Sequence, residues 1–207
     1  MRAKTFRENM LSVMTEAEWL VSHTPCAMLK CVKQKASTQK LCCFMAACYR
    51  KARKVLRNMQ GLTLPDFVRE LRESDKNLLM YPYFYEDSST GSKTYFAAKC
   101  VSLGIMSRIK SADEWGWGED QCALLRDIFD NPFRPVHIDE SWLRWNDGTI
   151  PKMAQTIYEE RRFGDLPILT DALSESGCCD DQILNHCRGP GPHVRGCFVV
   201  DLLLGKS

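Results

Sequence analysis

Between residues 38 and 59 the apolar side chains Leu41, Phe44, Met45, Cys48, Ala52, Val55 and Leu56 recur every three or four positions. That period gathers them on one face and predicts the longest amphipathic helix of the chain, capped by Ser37 and closed by Gly61. Shorter runs with the same period predict helices over 16–21 (Trp19, Leu20), 27–32, 65–73 (Phe67, Val68, Leu71), 93–109 (Phe96, Cys100, Leu103), 119–129 (Cys122, Leu125, Ile128, Phe129), 150–162 (Met153, Ala154, Ile157, Tyr158), 166–176 (Leu169, Ala172, Leu173) and 180–187. The polar punctuation agrees with these boundaries. Thr15 and Glu18 have capping-box spacing, Pro25 and Pro167 fall in first turns, Asp139 suits the cap of a short turn over 140–143, and Gly177 stops a helix. A last helix is predicted over 193–204, with Gly205 behind it. Trp115-Gly116-Trp117-Gly118 and Asn146-Asp147-Gly148 read as turns, 131–135 as extended because of its two prolines, and 136–138 as a brief strand-like segment.

These elements amount to an all-α fold, a compact antiparallel helical bundle or helical-hairpin array, because the connections after residue 149 are short. The expected organisation is a frayed segment over 1–14, a basic helical part over 15–73, a polar and aromatic linker loop over 74–92 (YPYFYEDSSTGS), and a C-terminal helical part over 93–207 continuous with 15–73 as one domain. Tyr81, Tyr83, Phe84 and Tyr85 are expected to pack that loop down. No repeat of 20–50 residues is present.

Composition narrows the class. With 44% hydrophobic and 26% charged residues, the 207-residue chain has the balance of a globular protein with a substantial core. The longest apolar run, 197–204, is too short to span a bilayer and is broken by Asp201, so no membrane association is expected. The first ten residues lack the apolar core of a secretion signal, and Met14 precedes the first well-formed element. The eleven cysteines are odd in number and include the adjacent pairs Cys42-Cys43 and Cys178-Cys179. That pattern suits free, packed thiols in a reducing cytoplasm better than a disulfide framework.

The net charge of +2 conceals a split, with twelve Lys/Arg against three Asp/Glu in residues 1–60 and an acidic excess afterwards. The stripe Arg50, Arg53, Lys54 and Arg57 could track nucleic-acid phosphates, but no recognition motif follows it. The solvated face of an amphipathic helix explains it equally, so nucleic acid is not the favoured partner.

Candidate chemistry concentrates between residues 177 and 206. Cys179, His186, Cys187, His193 and Cys197 offer thiolate and imidazole donors suited to zinc, and His193 and Cys197 share a face if 193–204 is helical. Against this stands the absence of a paired-cysteine spacing. An anion site is the second reading. Gly189 and Gly191 permit close backbone approach to a ligand, a following helix start would present free N–H groups, and Arg188, His193 and Arg195 add positive charge. The contrary reading is a rigid connector whose arginines pair with Asp180, Asp181 or Asp201. A Cys187–His193 nucleophile and base has no supporting context.

The segments NPFRPV (131–136) and HCRGPGPHVRGC (186–197), with MTEAEWL and KLCCFMAACYRK near the start, resemble a large paralogous family of uncharacterised planctomycete proteins. The similarity covers most of the chain and is weakest over 62–120. No catalytic residue is established for that family to carry over, and the resemblance implies only an occasional association with regulatory or interaction domains; no cofactor is expected beyond the zinc considered above. The expected function is therefore a non-catalytic protein-interaction or regulatory module with a protein partner. A metal- or anion-binding protein and a nucleic-acid-associated factor are the alternatives.

Overall fold

A computed structural model describes residues 14–55 and 117–206, with the side chains of residues 53–55 and Trp117 left aside. The expected helices over 65–73 and 93–109, the aromatic linker over 74–92, Arg57 and the side chains of Arg53 and Lys54 lie outside the described residues. What is described is all-α, with no strand. The helices are α1 (Glu16–Val21), α2 (Pro25–Val32), α3 (Thr38–Val55), α4 (Trp117–Phe129), α5 (Glu140–Arg144), α6 (Thr149–Glu160), α7 (Leu166–Glu175), α8 (Asp181–Arg188) and α9 (Phe198–Leu203). No helix among these residues is long and apolar enough to cross a membrane.

Local sequence rules account for most of the boundaries. The Thr15 hydroxyl accepts the Glu18 amide, and the Glu18 carboxylate accepts the Thr15 amide at 2.7 Å, so the capping box closes α1 at its start. Asp139 and Asp180 cap α5 and α8 by accepting backbone N–H groups. α7 ends in a Schellman motif. Gly177 has φ +94°, its amide reaches Ser174 O, and the Cys178 amide reaches Leu173 O at 2.9 Å.

Three expectations are corrected. The last helix begins at Phe198, not at residue 193, because His193 and the Val194 amide are held by Asp127 and Gly196 turns the chain at φ +102°. The segment 136–138 forms no strand, since among the described residues no strand pairs with it. Trp117 and Gly118 belong to α4 rather than to a turn, because the acidic first turn Glu119-Asp120 favours a helix N-terminus there.

The core falls into two clusters. Trp19, Met28, Leu29, Phe44 and Cys48 pack with Leu125 and Ile128 of α4. Ile150, Leu166, Leu169, Ile183, Phe198 and Val199 form the second, C-terminal cluster. α4 lies at the junction, buried against α2 and α3 and touching α9. The turn at Gly196 also crosses that junction, because a Cβ added there would sit 2.8 Å from the Cβ of Cys43 on α3.

Candidate metal centre

The site is assembled by one residue of α4 and three residues after α7. Asp127 lies on the side of α4 that also buries Gln121, Leu124, Leu125 and Ile128, so the helix carries a carboxylate into the junction of the two cores. The amphipathic period of α8 turns Ile183, Leu184 and Cys187 inward and sets His186 at the edge of that buried face. The loop 189–197 then brings His193 and Cys197 back to the same point.

The geometry is tight. Asp127 Oδ1 accepts a hydrogen bond from His193 Nδ1 at 2.9 Å and lies 3.1 Å from His186 Nε2, and Oδ2 accepts the Val194 amide at 3.0 Å. His186 Nε2 is also 3.3 Å from Cys197 Sγ. The side chains of Asp127, His193 and His186 are 2%, 10% and 16% exposed, and Cys197 is buried. The His186 ring meets His193 edge-on at 4.7 Å and leans on Phe198 at 4.4 Å, which fixes its orientation.

His193 donates through both nitrogens, since Nε2 faces the carbonyl of Gly189 at 3.2 Å. With an acceptor at each end, the ring's protonated form is favoured. Burial works against that charge, but the Asp127 carboxylate and the Gly189 carbonyl outweigh it and raise the His193 pKa. For Asp127, burial pushes the carboxyl up, and the hydrogen bonds and charges of the two imidazoles more than reverse this and hold it low. Burial, then the Asp127 charge, push the Cys197 thiol well above its ordinary range.

One carboxylate oxygen, two imidazole nitrogens and one sulfur thus lie within 4.8 Å of one another. Tetrahedral zinc with bonds of about 2.0–2.3 Å requires donor atoms separated by roughly 3.3–3.8 Å. In such a shell the pairs now at 2.9–3.3 Å would open slightly and the wider ones, up to 4.8 Å, would close, and His193 and Cys197 would give up protons to an entering ion.

The same geometry argues against a cysteine nucleophile. In a Cys–His–Asp triad the carboxylate orients one ring nitrogen while the other takes the thiol proton. Here Asp127 and Cys197 both face Nε2 of His186, so that relay is not built. Cys187 does not supply one either, for burial pushes its thiol up to about 12.

Of the five metal ligands expected from sequence, His186, His193 and Cys197 converge. Cys187 is buried beside the cluster without joining it, and Cys179 is exposed. The fourth donor, Asp127, was missed. Its signal was a carboxylate on the apolar stripe of a helix, which in a buried setting demands partners. The expected anion constellation does not assemble. The Gly189 amide is spent on the carbonyls of Asn185 and His186, Arg188 reaches Ser174 Oγ at 3.4 Å, His193 is committed to Asp127, and the next helix starts only at Phe198, not at residue 193. Arg195 turns away to the backbone carbonyl of Tyr158. In the basic stripe, Arg50 is exposed on α3. No family model, curated protein or solved structure matches the chain.

Proposed function

We propose that this protein is a non-catalytic helical module organised around one divalent transition-metal ion, zinc by preference, held by Asp127, His186, His193 and Cys197. The observation that carries this reading is the convergence of four donor groups from α4, α8 and the following loop within 4.8 Å. The donor set mixes hard oxygen, imidazole nitrogen and one thiolate, which suits zinc better than copper(I) or calcium. Four protein ligands with little solvent access describe a closed, structural site rather than one that keeps a position for substrate. Such a centre ties α4 to the C-terminal helices and gives an interaction module a fixed shape. A protein partner and a reducing cytoplasm, where a thiolate ligand persists, complete the proposal.

Protein purified without added metal is expected to carry close to one equivalent of zinc by elemental analysis. Cys197→Ser and His186→Ala are each expected to lower zinc affinity at least tenfold in a chelator competition. Less than about one-tenth of an equivalent, together with no saturable zinc uptake by the metal-free protein, removes the reading.

A further inference from the structure

Two polar contacts tie the end of α4 to α8. The first lies inside the metal centre, where Asp127 Oδ1 is 3.1 Å from His186 Nε2. The second is made by Asp130, the residue just beyond α4. Gln182 Nε2 donates to both Asp130 carboxylate oxygens, at 2.7 and 2.8 Å, and to the carbonyl of Arg134 at 3.1 Å. Gln182 and His186 are four residues apart on α8, so they share a face, one turn above the other. Asp130, Gln182 and His186 line one cavity of about 140 Å³, together with Trp19, Leu20 and Phe198.

The backbone at Asp130 shows what the carboxylate is kept for. Its amide reaches the Arg126 carbonyl at 3.1 Å and its φ is +58°, the left-handed stop of a helix that glycine or asparagine usually fills. Glycine would suit the backbone better, but only a side chain with an acceptor can reach across to Gln182. The contact pins α8 one turn before His186, and so sets how that ring is presented to Asp127 and to Cys197 Sγ at 3.3 Å. Imidazole ligands depend on such outer contacts for their orientation, and hold metal more weakly without them.

We propose that Asp130 is a positioning residue of the metal centre, which through Gln182 fixes the placement of α8 from which His186 meets the ion. The inference rests on the metal reading above. It adds a residue that binds no metal itself but governs how firmly one is held.

Zinc affinity of the full chain, measured by chelator competition, tests this. Asp130→Gly removes the carboxylate yet suits the left-handed backbone, and is expected to weaken zinc binding about tenfold, as the loss of an outer contact to a metal ligand does. Asp130→Asn keeps a carbonyl acceptor for the Gln182 amide and tolerates the same conformation, so near wild-type affinity is expected. Gln182→Leu leaves the Asp130 backbone untouched and carries the same expectation as Asp130→Gly, including where that variant does not fold. On a His186→Ala background, Asp130→Gly is expected to cost nothing further, because its effect runs through the missing ring. Additive losses in that cycle, an Asp130→Asn loss equal to that of Asp130→Gly, or wild-type affinity in both Asp130→Gly and Gln182→Leu overturns the inference and leaves the metal reading standing. Absence of saturable zinc uptake by the wild-type chain overturns both.

Discussion

Asp127 and Asp201 are both buried carboxylates, and their surroundings drive them in opposite directions. Asp127 accepts the His193 and Val194 N–H groups and lies 3.1 Å from His186 Nε2, so its charge is stabilised. Asp201 is 2% exposed, its Oδ1 has no partner, and burial raises its pKa to about 6. A carboxyl with a folded pKa above its unfolded value near 3.8 binds more protons in the native state. Its contribution to stability is therefore most favourable below pH 4 and is lost as pH rises from about 4 towards 6. Asp201→Asn is accordingly expected to stabilise the protein by about 1–3 kcal/mol at pH 7.5 and to give no gain at pH 4. Urea denaturation at the two pH values checks this, and a destabilised variant at pH 7.5 would contradict it.

At the scale of single elements, the caps and helix stops are where local chemistry decides. The Thr15 capping box, the Asp139 cap and the Gly177 stop were all legible in the sequence, because each depends on residues within a few positions of one another. The start of α9 was not. The apolar run 197–204 extends by pattern backwards into a helix from residue 193, and the distant Asp127 together with the left-handed turn at Gly196 prevents it. Gly196 marks the point of conflict. Gly196→Ala places a Cβ 2.8 Å from the Cβ of Cys43 and forces a left-handed conformation on alanine. A loss of at least about 2 kcal/mol is expected from chemical denaturation, against a few tenths for the same change at Gly164, where nothing lies within 4 Å of the added carbon.

At the scale of the whole molecule, α4 holds the two cores together and also carries the polar contacts that fasten α1. Arg126 donates to the carbonyls of Trp19 at 2.9 Å and Ser22 at 2.8 Å, and Asn131, just beyond α4, reaches Glu16 at 2.8 Å. Arg126→Gln is expected to cost about 2 kcal/mol and to speed amide exchange in α1 while α6 to α8 keep their protection. Equal loss of protection in both halves would show that α1 is not separately fastened. The sequence by itself determined that this chain is helical, where most helices begin and end, and which faces are apolar, because periodicity and capping act over a few residues. It also marked the histidines and cysteines near the C-terminus as the place for chemistry. Only the tertiary structure decided that Asp127, some sixty residues earlier, completes the cluster, and that Cys179 and Cys187 stand outside it. Those outcomes depend on how helices dock across a shared core, and no local period encodes which distant side chains that docking brings together.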